Sequence, residues 1–374
     1  MNNLEKNIND FHLIIFSNSP GEISSWVLPV IKTFKQKCPD SCITVFLTPC
    51  DYATGNEYDL LYKNKLVDSV YLPNETMRYV FFKKKFIASS NRGAILFLGG
   101  DPLYPQLFSI RLPFPVYGYT EQRKKLGFFY KKTFFKHIDG DLMSASIASK
   151  TFVKKEIYKK YSLEVNKYCL FMPGSRPKHF HLFMPLIVDT IKLIQAEDQD
   201  FKALISISPF ISENDLAIVK TTFDYKNIFF IRGDSLELMS ISRMMISLPG
   251  TNTAEAMYMN LPTLMVLPLN NPEQFVFDGL LQLFFKIPFL GSFLRYCLIK
   301  IFLIKKPLLA LPNIIAKKQI TPECIEYFSA DSFKNIIQNL YNDDARLQTI
   351  IQYFKQFNQL KQVDHKICDY IISR

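Results

Sequence analysis

Short apolar runs alternate with longer amphipathic stretches along the whole chain. Five runs of the first half predict strands, namely FHLIIFS from Phe11, CITVFLT from Cys42, SVYLP, AILFLGG and PVYGYT from Pro115. A helix is predicted between the first two runs, from Ser24 to about Gln36. Because the runs have little polar interruption, they are typical of strands buried in a parallel sheet, with helices crossing over between them.

The same pattern begins again at KYCLFMPGSR, where Tyr168 to Met172 predicts a strand. Further strands are predicted in KALISISP from Lys202, NIFFIRG from Asn227, RMMISLPGT from Arg243 and TLMVLPL from Thr263, with helices over 182–196, 252–259 and from 331 onward. The fold class predicted from this repetition is α/β, with two domains that are each built on a parallel sheet. The expected domains are 1–160 and 161–345, joined by the charged stretch 154–167, and helices are expected over 346–374.

The composition agrees with two globular domains and limits the classes of partner that the protein could bind. The 374 residues are 48% hydrophobic and 21% charged, which excludes bulk disorder. A net charge of +11 favours anionic partners: a nucleotide, a phospholipid, a phosphorylated substrate or nucleic acid. The seven scattered cysteines are interpreted as mostly buried thiols of a cytoplasmic protein, and neither a signal peptide nor an ordinary spanning helix is predicted.

Two acidic residues follow apolar runs of the first half. In open parallel sheets, ligands bind beyond the carboxyl ends of the strands. Glu22 follows the first strand in SNSPGE, and Asp101 follows AILFL in LGGDP. Asp101 could accept a proton from an attacking hydroxyl, which makes both carboxylates catalytic candidates. The alternatives are an acidic residue at a helix N-terminus for Glu22 and a turn aspartate before proline for Asp101.

Two turns of the second half have the composition of anion-binding loops. FMPGSR supplies small residues and a guanidinium, and SLPGTNTAEA leads into a helix whose N-terminus could hold a diphosphate. The nucleotide-sugar candidates are Gly174, Ser175, Arg176, Gly250, Thr251, Asn252 and Glu255, the last as a partner for a ribose. A structural turn and an ordinary capped helix are the alternatives.

The stretch 278–307 is dense in Leu, Phe and Ile but is interrupted by Lys, Arg, Pro and Gly. We expect it to form a mostly apolar helical insert in the second domain that contacts anionic lipid. The candidate membrane contacts are Phe284, Phe285, Phe289, Leu290, Arg295 and Lys300. A buried helical pair or a dimer interface is the alternative. Two basic and aromatic runs, FFKKKF from Phe81 and EQRKKLGFFYKKTFFKH from Glu121, could add to the same surface.

Together these motifs resemble the lipid-A-disaccharide synthase family, a group of glycosyltransferases with two Rossmann-like domains facing a cleft (the GT-B fold). The resemblance also implies that the helices of 346–374 could cross back to the first domain. The resemblance is carried by PGE, GGDP, PGSR, PGTNTAEA with NLPTLMV, and LALPN, which are spread over most of the chain. It implies inverting transfer of an acylated glucosamine from UDP-2,3-diacylglucosamine to 2,3-diacylglucosamine 1-phosphate, forming the lipid A disaccharide of lipopolysaccharide biosynthesis.

The resemblance also implies roles for single residues. Glu22 matches the glutamate of the first motif, and Asp101 matches an essential aspartate, the candidate general base. Arg176 matches an arginine near the donor diphosphate, and Asn313 matches the asparagine of the closing motif. The implied enzyme uses no metal and no cofactor. Its location would be cytoplasmic and peripheral on the inner face of the membrane, in contact with anionic lipid and without nucleic acid, and a homodimer is left open.

The chain departs from the family pattern at three places. Ile23 to Ser25 follow Glu22 where serine, glycine and aspartate are common, His179 stands where a glutamate is common, and PLYPQ follows Asp101. These departures leave the acceptor and the sugar open. The alternatives are a related transferase acting on another membrane lipid acceptor, a sugar-nucleotide epimerase, a catalytically idle lipid-binding relative, and an anionic-surface or nucleic-acid binder.

Overall fold

A computed structural model of the chain describes residues 11–49, 57–82, 85–174, 177–208, 211–221, 227–270, 300, 304, 307–357 and 362–374. Its internal contacts divide the chain into two compact units. Unit 1 comprises Met1–Lys150 and Leu360–Arg374, and unit 2 comprises Thr151–Gln359. The charged stretch 154–167, where we predicted the domain boundary, begins just after this division.

Unit 1 is built on a six-stranded parallel sheet in the order β3-β2-β1-β4-β5-β6. Its strands are β1 His12–Ser17, β2 Cys42–Leu47, β3 Ser69–Tyr71, β4 Gly93–Phe97, β5 Val116–Thr120 and β6 Tyr130–Phe135. The helices are α1 Pro20–Glu22, a π-helical turn Ile23–Val27, α2 Leu28–Lys37, α3 Glu57–Tyr62, α4 Pro73–Val80, α5 Leu103–Ser109, α6 Lys136–Asp139 and α7 Leu142–Ala148. The strand order reverses between β1 and β4, so the loops after these two strands border the crevice where such sheets bind ligands.

Unit 2 repeats this plan with the sheet order β12-β11-β10-β7-β8-β9. Its strands are β7 Tyr168–Met172, β8 Lys202–Ser206, β9 Ile228–Ile231, β10 Ser242–Ser247, β11 Thr263–Pro268 and β12 Glu323–Glu326. The helices are α8 Lys154–Lys160, α9 Pro177–Glu197, α10 Glu213–Thr221, α11 Ser235–Ile241, α12 Thr251–Tyr258, α13 Leu311–Ala316, α14 Ala330–Tyr341 and α15 Asp344–Phe357. Here the order reverses between β7 and β10.

The central strands are apolar throughout because both faces of each sheet are covered. In β1, Leu13 and Ile15 pack in one core cluster of unit 1, whereas Ile14 and Phe16 pack in another on the opposite face. All six residues of β1 are buried. A continuous apolar run, rather than an alternating one, is therefore the pattern that this architecture requires.

The final helix, α16 Val363–Ile372, belongs to unit 1 and packs against α2. Its apolar residues Val363, Ile367 and Ile371 are buried in the unit 1 core. The Thr33 hydroxyl donates a buried hydrogen bond of 2.7 Å to the Asp364 carboxylate. The chain therefore returns to its first unit after completing the second.

The predicted α/β class with two Rossmann-like units is confirmed, and every predicted strand is present. The helix predicted from Ser24 differs in detail, because its first turn is the π-helical Ile23–Val27. Strands β6 and β12 were not predicted. The insert 278–307 lies largely outside the described residues, and no helix within the described ranges combines the length and apolarity needed to cross a bilayer. Cys38, Cys169 and Cys368 are buried free thiols.

His12 should make the stability of unit 1 depend on pH. Its imidazole is buried at the start of β1, where Nδ1 accepts the Ser89 backbone N–H at 3.0 Å and Nε2 lies 2.9 Å from the Thr44 hydroxyl. Burial, only partly opposed by Asp68, lowers the pKa of His12 from 6.5 to about 4. The unfolded chain therefore binds a proton at a higher pH than the folded chain does.

We predict that the free energy of unfolding falls by about 2 to 3 kcal/mol as the pH drops from 6.5 to 4. The His12→Gln variant should lose most of this pH dependence, whatever its stability at neutral pH, because glutamine does not titrate. Urea unfolding across this pH range measures it. The exposed His137 offers a control, since His137→Gln should keep the slope of the parent protein. Equal slopes for the parent and His12→Gln would contradict the assignment.

Candidate functional site

The loops after β1 and β4 meet at the strand-order reversal of unit 1. Phe16 pairs with Phe97 in the parallel register, so the two strands end side by side. Gly99 and Gly100 have φ values of +150° and +86°, which favour glycine. A methyl group placed on Gly99 would overlap the Glu22 carboxylate, and one on Gly100 would overlap the Thr48 hydroxyl. The absence of side chains at these glycines therefore lets the two loops touch.

The Glu22 carboxylate is held by backbone amides of both loops. Its Oε2 accepts the Ser19 N–H at 3.3 Å, and the backbone amides of Asn18 and Gly100 also bond to the carboxylate. Burial raises the pKa of Glu22, and the bonds to these amides oppose that rise. Because its partners come from the loops after both β1 and β4, this half-buried carboxylate joins the two loops.

Asp101 follows Gly100 and has the opposite environment. Its side chain is exposed, and Oδ1 accepts the Leu103 N–H at 2.9 Å at the start of α5. The Oδ2 atom accepts no hydrogen bond from the part of the chain that the structure describes. Its negative charge adds to burial in raising the pKa of Tyr104 and Tyr130. Asp101 is therefore an oriented carboxylate with one oxygen available to a ligand.

The corresponding loops of unit 2 also lie side by side. Met172 pairs with Ser247 at the ends of β7 and β10. A methyl group on Gly174 (φ +105°) would lie 3.2 Å from the side chains of both His179 and Leu248. By contrast, a methyl group on Gly250 (φ +153°) would have no neighbour within 4 Å. The backbone at Gly250 therefore borders open space just where α12 begins.

The first turn of α12 is fixed by its own residues and by the first residue of α13. Thr253 Oγ1 donates to the Gly250 carbonyl at 2.8 Å and accepts the Leu311 N–H at 3.1 Å. Thr251 is exposed, and Asn252 and Glu255 are half-buried on the same helix. The helix dipole is positive at this N-terminus, which borders open space at Gly250, and this combination suits an anion.

The environment of Asn313 does not match the predicted contact of this residue with a nucleotide. Its side chain is fully buried, and Oδ1 accepts the N–H groups of Ile320 and Thr321 at 2.7 and 2.9 Å. Nδ2 donates to the Thr321 carbonyl at 2.9 Å and to the Glu323 carboxylate at 2.5 Å. All four hydrogen-bonding positions of the amide are used inside unit 2. This geometry therefore does not favour the predicted contact between Asn313 and a ligand.

Several predicted residues lie outside the described part of the chain. They are Ser175, Arg176, Phe284, Phe285, Phe289, Leu290 and Arg295, whereas Lys300 is described and exposed. Among the described residues, no group of three His, Cys, Asp or Glu side chains is placed to hold a metal ion.

Comparison with known proteins shows similarity to one family over part of the chain. The sequence profile of lipid-A-disaccharide synthetase matches residues 127–292. Lipid-A-disaccharide synthase 1 of Legionella pneumophila strain Philadelphia 1 is 24% identical over 208 residues, covering 54% of this chain and 47% of the relative. The synthase of Francisella philomiragia is 25% identical over 201 residues, covering 52% and 45%. The chain is a divergent relative of the lipid-A-disaccharide synthases.

The chain spans about half the length of the curated relatives that it matches. Solved structures similar to its fold include UDP-GlcNAc 2-epimerase from Neisseria meningitidis bound to UDP-GlcNAc, with a TM-score of 0.58, 13% identity and coverage of 97% of this chain and 100% of that one. The S. aureus MnaA structure with UDP has a TM-score of 0.56 and 11% identity, covering 97% and 96%. At these identities the similarity establishes the shared two-Rossmann fold alone.

Three residues that shape the loops of the candidate site were not predicted from the sequence. Asn18 and Thr48 line the turn at Gly100. Glu323 accepts the N–H groups of Leu309 and Ala310, both at 2.9 Å, besides its bond to Asn313. The position of Asn18 directly after β1 could have indicated its role. Glu323 gave no comparable signal, because its partners lie ten to fourteen residues earlier in the chain.

We predict that Asn313→Ala lowers the free energy of unfolding by about 2 to 4 kcal/mol, because it leaves the buried N–H groups of Ile320 and Thr321 without partners and removes one hydrogen bond from the Glu323 carboxylate. Urea unfolding provides the measurement. The exposed Asn342 serves as a matched control, and Asn342→Ala should change the same quantity by less than about 0.5 kcal/mol. A similarly small change for Asn313→Ala would contradict the bonding network described above.

Proposed function

We propose that this protein is an inverting glycosyltransferase of the lipid-A-disaccharide synthase type. It would move an acylated glucosamine from UDP-2,3-diacylglucosamine to 2,3-diacylglucosamine 1-phosphate. The observation that carries the proposal is the exposed, oriented Asp101 carboxylate beside the half-buried Glu22, at the strand-order reversal of unit 1. The sequence similarity to synthases over residues 127–292 supports the same substrate class.

In the proposed reaction, unit 1 binds the acceptor and Asp101 acts as the general base. Oδ2 of Asp101 takes the proton of the acceptor hydroxyl while the hydroxyl oxygen bonds to the anomeric carbon of the donor. The bond between that carbon and the diphosphate oxygen breaks, and UDP leaves with the electron pair. A positioned base of this kind contributes roughly 10² to 10⁴ in rate. Glu22 would hold the loop that carries Asp101, since its carboxylate is already bonded to backbone amides.

Unit 2 would bind the UDP portion of the donor. The amides at the start of α12 and the Arg176 guanidinium would stabilise the negative charge that grows on the leaving diphosphate. Glu255, one turn into α12, would bond the ribose hydroxyls. Asn313 and Thr253 would act as positioning residues, because their bonds fix the segments around the start of α12.

A second candidate keeps the fold and changes the reaction. The UDP-GlcNAc 2-epimerase of Neisseria meningitidis shares this fold over 97% of the present chain, and fold similarity does not choose between the two activities. An epimerase would convert a UDP-sugar without any acceptor. A transferase acting on another membrane lipid acceptor would release UDP only with that acceptor. The requirement for an acceptor therefore distinguishes the candidates.

The direct test is to incubate the protein with UDP-2,3-diacylglucosamine and 2,3-diacylglucosamine 1-phosphate and to analyse the products by mass spectrometry. The proposal predicts a disaccharide 1-phosphate and UDP in equal amounts. Turnover of the donor without the acceptor, giving an isomeric UDP-sugar, would support the epimerase. Absence of both products would refute the proposed substrates.

Asp101→Asn should reduce kcat by about 10² to 10⁴, because the amide cannot accept the acceptor proton. Its oxygen can still accept the Leu103 N–H, so the start of α5 and the folding stability should be preserved. Steady-state kinetics and calorimetric UDP binding measure the two effects, and UDP affinity should stay within about twofold. The exposed Asp40 supplies the control substitution Asp40→Asn. Unchanged turnover in Asp101→Asn would remove this residue as the base.

Glu255→Ala should weaken UDP binding by about tenfold, as expected for the loss of a charge-assisted hydrogen bond to the ribose. Isothermal titration with UDP measures the affinity. UMP carries the same ribose but lacks the second phosphate. The affinity of Glu255→Ala for UMP should therefore fall by a similar factor relative to that of the parent protein. Glu326→Ala, at an exposed carboxylate of the same unit, is the control. Equal UDP affinities for Glu255→Ala and the parent protein would contradict the ribose contact.

A further inference from the structure

A cleft of about 260 Å³ opens in unit 2 between helix α15 and the segment 319–322. The segment forms one wall, and Arg346, Thr349 and Ile350 of α15 form the other. The segment precedes β12, whereas Gly250 and α12 follow β10, and the strands from β10 to β12 are parallel. The cleft therefore lies at the opposite edge of the sheet from the candidate nucleotide loops.

Both walls of the cleft are held by buried groups. Asn313 Oδ1 accepts the N–H groups of Ile320 and Thr321 at 2.7 and 2.9 Å, which fixes the backbone of one wall. On the other wall, Leu347 and Ile350 of α15 are buried in the core of unit 2. The cleft is therefore formed before a ligand arrives, and binding does not have to order a loop.

Two of the residues that line the cleft carry hydrogen-bond donors without a protein acceptor. The guanidinium of Arg346 makes no hydrogen bond or ion pair with any residue that the structure describes. The backbone N–H of Gln319 has no acceptor within the described ranges either, although the N–H groups of Lys318 and Ile320 on each side of it do. A guanidinium presents five N–H donors in a planar fork that fits two oxygens of one anion.

The charge around the cleft is positive on both walls. Lys318 extends from the segment side to α15, where its Nζ lies 4.7 Å from the centre of the Tyr353 ring. The two acids at the start of α15 are engaged elsewhere. Asp343 Oδ1 accepts a backbone N–H of the first turn at 2.9 Å, and Asp344 forms an ion pair with Arg243. An anion is therefore the complement of this cleft.

We propose that the cleft binds the phosphate group of a small phosphate ester. The Arg346 guanidinium binds two phosphate oxygens, and the Gln319 N–H donates to a third. The organic part of the ester lies against Ile320, Pro322 and Ile350. The volume is several times the roughly 30 Å³ that one water molecule occupies and slightly below the roughly 300 Å³ of the smallest drug-sized pockets, which suits a small metabolite. This site is independent of the proposed function, because none of its residues was assigned to the donor or the acceptor.

The first test is saturation-transfer NMR with glycerol 3-phosphate as the probe, at physiological salt and with saturating UDP so that any phosphate site on α12 is filled. The protein should bind the probe, inorganic phosphate should displace it, and glycerol should give no signal. Arg346→Gln should weaken binding at least about tenfold, because a charge-assisted pair of hydrogen bonds is lost. Lys355→Gln is the matched control, since it removes the same charge from an exposed residue two and a half turns further along α15 and should bind like the parent protein.

Absence of probe binding, or equal binding by Arg346→Gln and the parent protein, would overturn the proposal. Calorimetric titration with UDP separates it from the proposed function, because Arg346→Gln should keep the parent affinity for UDP. Displacement of the probe by UDP would assign the signal to the nucleotide loops and would also overturn it.

The second test locates the probe in the cleft. Thr349→Phe adds a ring to one wall while Arg346 keeps its charge, so binding should fall at least about tenfold for steric reasons. Thr349→Ser keeps the space and should bind like the parent protein. Full binding by Thr349→Phe would show that the probe is attracted to Arg346 from outside the cleft, which contradicts the proposed site.

Discussion

The contact of the Glu22 carboxylate with the glycine backbone after β4 is the constraint on which the candidate site of unit 1 depends. A parallel sheet brings the ends of β1 and β4 side by side but leaves the connecting loops free in principle. Gly99 and Gly100 allow close approach because they lack side chains, and the amides of Asn18, Ser19 and Gly100 hold the carboxylate between them. The consequence is a fixed direction for Asp101, which follows directly.

The two acidic residues illustrate how one loop geometry gives two carboxylates different chemistry. Glu22 is half-buried, and burial raises its pKa despite the amide bonds. Asp101 is exposed and keeps one oxygen available. A half-buried, bonded carboxylate is suited to holding loops together, whereas an exposed, oriented one is suited to accepting a proton. The proposed division of roles follows from this difference in solvation.

Much of the fold was predictable because its parallel sheets bury continuous apolar runs, such as those of β1, β4 and β7. Strand β6 was missed because its exposed Lys131 and Lys132 interrupt the run, as expected at the edge of a sheet. The rule for strand ends placed both Glu22 and the GGD turn at the ligand crevice, but their contact was not predicted. The internal role of Asn313 was not predicted either, because a family motif identifies a residue without revealing whether its side chain faces a ligand or the core.

The central claim is that Asp101 assists a single displacement at the anomeric carbon of a UDP-sugar. Proton NMR of the reaction with a UDP-α-linked donor reports this most directly, through the coupling constant of the anomeric proton in the product. The account predicts that the α-linked donor gives a β-linked disaccharide, and that this signal forms only when the acceptor is present. An α-linked product, or a new UDP-sugar signal formed without the acceptor, would contradict it.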